Sequence, residues 1–313
     1  MSFYQLVMSL FFLKIFFLIC ILINVAFITL LERKILGYIQ LRKGPNKNFF
    51  LGLLQPFNDA IKLLSKEYYN LSWFNQLIFF ISPFMCFILM IFFWMIFTFN
   101  CSLNMNFHFS LILILIISSL NIYPIIFSGW SSNSKYATFG SYRNVAQTIS
   151  YEVSFSFIIL ATILFAKAYD IFDSFNLQFN SFHFFIGNSI LFFSWLVIIL
   201  AETNRSPLDF AESESELVSG FNIEYGGIGF TILFLAEYGN IIFMSWLTSL
   251  LFFYTIKLSI FLAIIILILT FFLWVRGTFV RFRYDNLMML AWKIILPFSM
   301  LYLILVFLFF FIF

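Results

Sequence analysis

Eight stretches of apolar residues, each about as long as a bilayer is thick, constrain this chain more than any other feature. A helix that crosses about 30 Å of hydrocarbon at 1.5 Å per residue needs roughly 20 such residues. The candidate spans are Ile15–Leu31, Leu77–Phe99, Phe109–Trp130, Arg143–Ala168, Phe184–Ala201, Gly226–Trp246, Leu251–Val275 and Ile294–Phe313. Pro124 should kink the third, and Lys257 interrupts the seventh. Composition agrees: 63% of the 313 residues are hydrophobic, only 10% are charged, and mean hydropathy is +1.03. Soluble domains run about 45–50% apolar and about 25% charged. So few charges cannot clothe a water-facing surface. The fold expected is an all-α polytopic membrane protein of about eight transmembrane helices, one membrane domain over residues 1–313. A soluble enzyme, a nucleic-acid binder and a disordered chain are excluded.

Where the charges sit says more than the net +3. Arg33, Lys34, Arg42, Lys43, Lys47, Lys62 and Lys66 lie between spans one and two, and Lys135 and Arg143 between three and four. Arg205 lies between five and six, and Arg276, Arg281, Arg283 and Lys293 between seven and eight. These fourteen face only Lys14, Lys167 and Lys257 on the other side, which is a strong positive-inside asymmetry. An even number of crossings then places both termini on the positive-poor side. Basic-side loops are expected at about 32–76, 131–149, 202–225 and 276–293.

The first of these loops is long enough to hold a helix of its own. Pro56 suits a first turn, and Leu53, Leu54, Phe57, Ile61 and Leu64 recur at helical spacing, which predicts a short amphipathic helix in the interface. Upstream, Gly44-Pro45-Asn46 should end the preceding helix in a turn. The charges around it suit either anionic lipid or a docking protein. The same choice stands for Arg281-Phe282-Arg283-Tyr284-Asp285.

No motif here carries redox or nucleotide chemistry. His108 and His183 lie far apart, no CxxC pair joins Cys20, Cys86 and Cys101, no P-loop occurs, and Gly226-Gly227-Ile228-Gly229 reads as a helix start. The chain is therefore expected to bind no redox cofactor or metal alone. The N-terminus lacks a signal peptide pattern, so the first span is expected to be retained. Its 51 Phe residues reflect AT-rich codons and suggest an organelle genome.

Acids supply the unusual chemistry. Glu202, Asp209, Glu212, Glu214, Glu216 and Glu224 surround the single base Arg205, on the face that is otherwise basic. Glu212 and Glu216, four apart, would repel on a helix, and the group should titrate as a coupled set. Arg205 is a natural bidentate clamp for such carboxylates. Two readings stand for the segment, a solvated acidic loop and a proton relay. Glu152, about 13 Å along the fourth span from Arg143, and Glu237, near the middle of the sixth, favour the relay. Carboxylates inside a membrane are costly and by default mark an ion or proton path. Tyr151, Tyr225 and Tyr238 adjoin Glu152, Glu224 and Glu237 and offer hydroxyls to a hydrogen-bonded chain. On physics alone, a proton- or ion-coupled secondary transporter is the alternative, although no inverted repeat supports it.

Specific strings narrow the choice. Leu-Glu-Arg-Lys at Leu31–Lys34, Ala-Glu-Thr-Asn-Arg at Ala201–Arg205 and Glu-Leu-Val-Ser-Gly-Phe-Asn-Ile-Glu-Tyr at Glu216–Tyr225 occur in order, with further matches in Gln55–Glu67, Gly129–Tyr136, Arg143–Glu152, Ala236–Tyr238 and Arg276–Asp285. Together they resemble the chain 1 family of respiratory NADH–ubiquinone oxidoreductase (complex I), mitochondrially encoded membrane subunits of the quinone site. The departures are Ser213 for Gly, Ser206-Pro207-Leu208 for Thr-Pro-Phe, Asn144 for Ala and Val280 for Pro. None removes an acid or base of the pattern.

The resemblance implies a multi-pass protein of the mitochondrial inner membrane with its basic loops in the matrix and both termini in the intermembrane space. It implies a quinone tunnel, shared with peripheral-arm subunits, whose mouth lies near the first span, the amphipathic helix and the sixth span. Glu32, Arg33, Asp59, Lys62, Arg143, Arg205, Arg281 and Arg283 are then candidates for the tunnel or subunit interface. Glu152, Glu202, Asp209, Glu212, Glu214, Glu216, Glu224 and Glu237 are candidates for a relay toward the proton-pumping arm. Ubiquinone is the implied substrate, with flavin and iron–sulfur clusters in partner subunits. Neighbouring membrane-arm subunits and membrane lipids, including cardiolipin, are the other implied partners, and nucleic acid is not one.

Overall fold

The computed structural model describes residues 3–48, 50–67, 73–101, 108–171, 178, 183–210, 220–255 and 257–312. Glu212, Glu214 and Glu216 lie outside these described residues. Among the described residues the chain is all helix and turn, without strands. That outcome follows from the solvent: in hydrocarbon every backbone N–H and C=O must be satisfied within its own segment.

We label the helices α1 (Phe3–Ile39), α2 (Gln55–Leu64), α3 (Gln76–Cys101), α4 (Ser110–Leu120), α5 (Ile122–Ser131), α6 (Lys135–Ala166), α7 (Ser189–Glu202), α8 (Gly227–Phe253), α9 (Leu258–Thr278), α10 (Tyr284–Met289) and α11 (Leu296–Ile312). Among the described residues seven helical segments are long and apolar enough to cross a membrane, α4 with α5 and α10 with α11 each counting as one. The fifth expected span is the exception. It breaks at Asn188 (φ −128°, ψ 38°), leaving a four-residue turn, Phe184–Gly187, and the 14 residues of α7. At 1.5 Å per residue α7 is roughly 21 Å long, short of the hydrocarbon thickness. Tyr302 donates to the Asn188 Oδ1 and ties the break to α11.

Several boundaries shift for local reasons. Helix α1 runs on through Glu32 to Ile39, where Leu41 takes a left-handed φ of 56° and Arg42 N donates to Gly37 O at 2.8 Å. The helix thus ends in a Schellman arrangement at Gln40–Arg42, ahead of the turn expected at Gly44-Pro45-Asn46. Gly37 is required there, since a Cβ would meet Gly44 N at 2.8 Å. Pro124 has no N–H to donate to the carbonyl of Leu120, and the third span divides there at Asn121. The expected loop at 131–149 is mostly helix, because α6 begins at Lys135. Leu251–Phe253 belong to α8, and α9 starts just after Lys257. The final span begins at Tyr284, ten residues before Ile294, and a π-helical turn at Leu290–Ile295 joins α10 to α11. Pro297 follows that turn and cannot donate to the carbonyl of Lys293.

Helix α8 is central. It packs on α3 through stacked Phe93 and Phe243, 4.7 Å between ring centres, and at Gly239, where a Cβ would come 2.7 Å from Met90 Cγ. It also packs on α1, α2 and α9. Helix α6 gathers the other half, α5, α7 and α11, and α3 joins the halves through α5. The amphipathic helix forms as expected, with Pro56 in its first turn and Phe57 edge-on to Phe27 of α1 at 5.9 Å.

Candidate functional site

Glu32 is a buried acid held by three side chains from other segments. It is 4% exposed, and both of its oxygens are used. Tyr238 of α8 donates to Oε2 at 2.6 Å. Arg276, at the end of α9, donates to Oε1, and Arg205 Nη1 lies 3.5 Å from the same atom. The Arg205 guanidinium also lies over the Tyr238 ring, 4.3 Å from its centre. Among the described residues, this acid and two arginines meet where α1, α8, α9 and the loop after α7 come together. Burying charges is costly unless they are paired and hydrogen-bonded. This node meets that requirement, and it holds four segments in register.

A second pair lies one residue along α1. Arg33 Nη1 and Asp59 Oδ2 are 2.6 Å apart, and Gln55 donates to the other Asp59 oxygen at 2.9 Å. Both residues edge an open groove of about 250 Å³ between α1, α2 and α8. Val25, Ala26, Leu63, Leu64, Phe230 and Phe234 make most of its wall apolar. Lys62 is exposed on α2.

The third feature is a small internal cavity of about 40 Å³ whose walls are rich in polar groups. Glu202 enters from α7, Glu237 and Asn240 from α8, Asn144 from α6, and Thr203 and Asn204 from the loop after α7. Glu202 Oε2 is buried without a hydrogen-bond partner among the described residues. Glu152, half-buried on α6, is close enough to act on Glu202 electrostatically. Gln147 holds the nearby loop in place: its Nε2 donates to Ala201 O at 2.9 Å and Leu208 O at 2.7 Å.

The expected site residues therefore separate into groups. Glu32 and Arg205 meet, Arg33 and Asp59 meet, and Glu202 and Glu237 share a cavity with Glu152 nearby. Asp209 faces Arg281 Nη2 at 3.3 Å, while Phe282 N donates to Pro207 O at 3.1 Å. Glu224 and Arg143 are half-buried elsewhere, and Arg283 pairs with Asp285 at 3.1 Å on the exposed surface. The tyrosines divide as well. Tyr151 donates to Leu287 O, Tyr225 binds Ser82 and Phe79 O, and Tyr238 serves Glu32. Arg205 reaches across to Glu32, while Glu212, Glu214 and Glu216 of the loop it was expected to clamp lie outside the described residues.

Sequence reasoning missed Arg276, Asn144, Asn240 and Gln147 as site residues, and it set Tyr238 beside Glu237 where the structure gives its hydroxyl to Glu32. Arg276 and Tyr238 carried a weak signal, as a base at a span end and a hydroxyl beside a buried acid. The amides carried none, because Asn and Gln inside an apolar run also occur as ordinary helix-packing residues.

Fold and site together define a class: an integral membrane protein in which buried acids lie one helix away from an open apolar groove. The chain belongs to the NADH dehydrogenase family, whose model matches residues 13–307. It is 49% identical over 306 residues to NADH-ubiquinone oxidoreductase chain 1 of Locusta migratoria, covering 94% of this chain and 92% of that one. With the Aedes aegypti protein of the same name it shares 48% over 286 residues, 91% of each chain. A bacterial relative, one of the subunits of NADH-quinone oxidoreductase from Rhodospirillum rubrum, is 42% identical over 295 residues, covering 90% of this chain and 88% of that protein. The family expected from the motif strings is the one the whole chain matches.

Proposed function

We propose that this chain is a membrane subunit of proton-translocating NADH:ubiquinone oxidoreductase, in which it admits ubiquinone and passes the charge changes of quinone reduction to buried acids. The family and its relatives' names support the assignment to that enzyme. The observation that carries the mechanism is that groove and cavity lie on two faces of one helix. Phe230, Thr231, Phe234 and Leu235 of α8 line the groove, while Leu233, Ala236, Glu237 and Asn240 line the cavity. The Glu32 node joins them: Arg33 beside it edges the groove, and Asn204 and Glu237, next to Arg205 and Tyr238, line the cavity.

In this reading a quinone, with an apolar tail and a polar head, enters along the groove past the Arg33–Asp59 pair. Partner subunits of the peripheral arm complete the tunnel and carry the flavin and iron–sulfur clusters. Reduction draws protons and changes charge near the Glu32 node. Buried acids respond because a carboxylate in a poorly solvated site shifts between charged and neutral forms when a neighbouring charge changes. Glu202, Glu152 and Glu237 pass that change toward neighbouring membrane-arm subunits. Asp209 and Glu224 belong to the same acidic loop, together with Glu212, Glu214 and Glu216. The chain sits in the mitochondrial inner membrane, basic loops in the matrix and both termini in the intermembrane space, with those loops contacting cardiolipin or similar anionic lipid.

Glu→Gln keeps size and most hydrogen bonding while deleting titration. Assembled complexes carrying Glu202→Gln or Glu152→Gln should lose much of their coupled quinone reductase activity and keep NADH oxidation by artificial acceptors. Full quinone reduction and proton pumping in both variants would eliminate the relay.

A further inference from the structure

Asn144 has no place in the mechanism above, yet it is the most thoroughly buried polar side chain on the acid cavity. It is 0% exposed, and both its Oδ1 and Nδ2 lie buried without a hydrogen-bond partner among the described residues. Three more buried atoms around the same space are in that condition: Glu202 Oε2, Asn204 Oδ1 and Asn240 Oδ1. Buried polar atoms in folded proteins are almost always satisfied, by protein or by ordered water. A cavity of about 40 Å³ has room for about two or three waters, each needing two to four polar partners. The site is both polar enough and large enough.

We infer that Asn144 is a positioning residue for ordered water that bridges Glu202 and Glu237. This rests on the relay proposed above and gives one of its hops a route. The amide suits the role because it offers a donor and an acceptor on one rigid group. Nδ2 donates to a water oxygen and Oδ1 accepts from a second water, which fixes the direction of the chain between the two acids. The hop balances without any other reactant. A protonated Glu202 gives its proton to the bridging water as that water gives one of its own to the Glu237 carboxylate. One O–H bond breaks and one forms at each step, the water is regenerated, and Glu202 is left ionised.

The test uses the whole assembled complex, with NADH and a short-tailed quinone in H₂O and in D₂O. Asn144→Leu removes both amide atoms and fills their space. It should lower coupled turnover about tenfold, roughly 1.4 kcal/mol in the barrier, and raise the solvent isotope effect as proton transfer becomes limiting. NADH oxidation by artificial acceptors should not change. Asn144→Ser keeps one donor and acceptor and should restore much of the rate and the wild-type isotope effect. Should the leucine variant fail to assemble, the serine variant and a high-resolution map of the wild-type complex still decide. Water density between the two acids supports the inference, and a dry cavity overturns it. Wild-type rate and isotope effect in Asn144→Leu, or equal losses in both variants with an unchanged isotope effect, would also reject it. If Glu202→Gln impairs turnover while Asn144→Leu does not, the relay stands and the water site falls. If Glu202→Gln and Glu152→Gln are both silent, the relay itself falls.

Discussion

Tyr238 donates a 2.6 Å hydrogen bond to Glu32 across 206 residues of sequence and holds its ring beneath the Arg205 guanidinium. One side chain thereby satisfies a buried acid and seats one of its two basic partners. The loss of either residue should reflect that division. Glu32→Ala removes the carboxylate that Arg205 and Arg276 share, and breaking a buried ion pair in this way costs about 3–5 kcal/mol. Tyr238→Phe removes one hydrogen bond and keeps the ring, a cost of about 1–3 kcal/mol. Thermal denaturation and native-gel assembly should rank Glu32→Ala as the more damaging. The opposite ranking would mean that the node is held by Tyr238 packing and not by charge.

Arg205→Lys keeps the charge but loses the planar fork and much of the stacking on Tyr238. An ammonium cannot both lie flat on the ring and reach Glu32. Quinone reduction in the assembled complex should fall, with electron transfer to artificial acceptors unaffected. Wild-type turnover would show that only the charge at this position matters.

Thr231 lines the groove between α1, α2 and α8 and is half-buried there. A tryptophan at that position would occupy much of the roughly 250 Å³ available. Steady-state kinetics with a long-tailed quinone should show a raised KM for Thr231→Trp, and artificial-acceptor rates should not move. An unchanged KM for long- and short-tailed quinones alike would take the entry path away from this groove.

The Glu32–Arg205 and Asp209–Arg281 pairs bring the ends of α1 and α9 against the loop after α7, so these three segments lie together. Cysteines introduced at Lys47 and at Glu224 should accordingly be labelled by a membrane-impermeant reagent from the same side, the matrix. Labelling from opposite faces would refute the eight-crossing topology and require the short α7 to enter and leave on one side.

The sequence alone determined that the chain is a helical membrane protein, roughly where its spans lie, and which residues are the expensive ones. Each of those properties is local. Run length against bilayer thickness sets the spans, Pro56 sets a helix start, and an acid such as Glu152 or Glu237 is conspicuous in any apolar run. The matched strings added the family. Only the tertiary structure decided which acids are neutralised and which share an internal cavity. Glu32 acquires Arg205 and Arg276 from 173 and 244 residues away, and Asp209 acquires Arg281 from 72 away. No periodicity encodes such pairings, because they depend on how α1, α8 and α9 pack. The same holds for α7, which reads as a full span until Asn188 is caught by Tyr302 of the last helix. It holds too for the face of α8 that each residue occupies: a continuous apolar sequence gives a helix no preferred side, and packing against α1 and α2 on one face and α3 on another assigns the groove and the cavity.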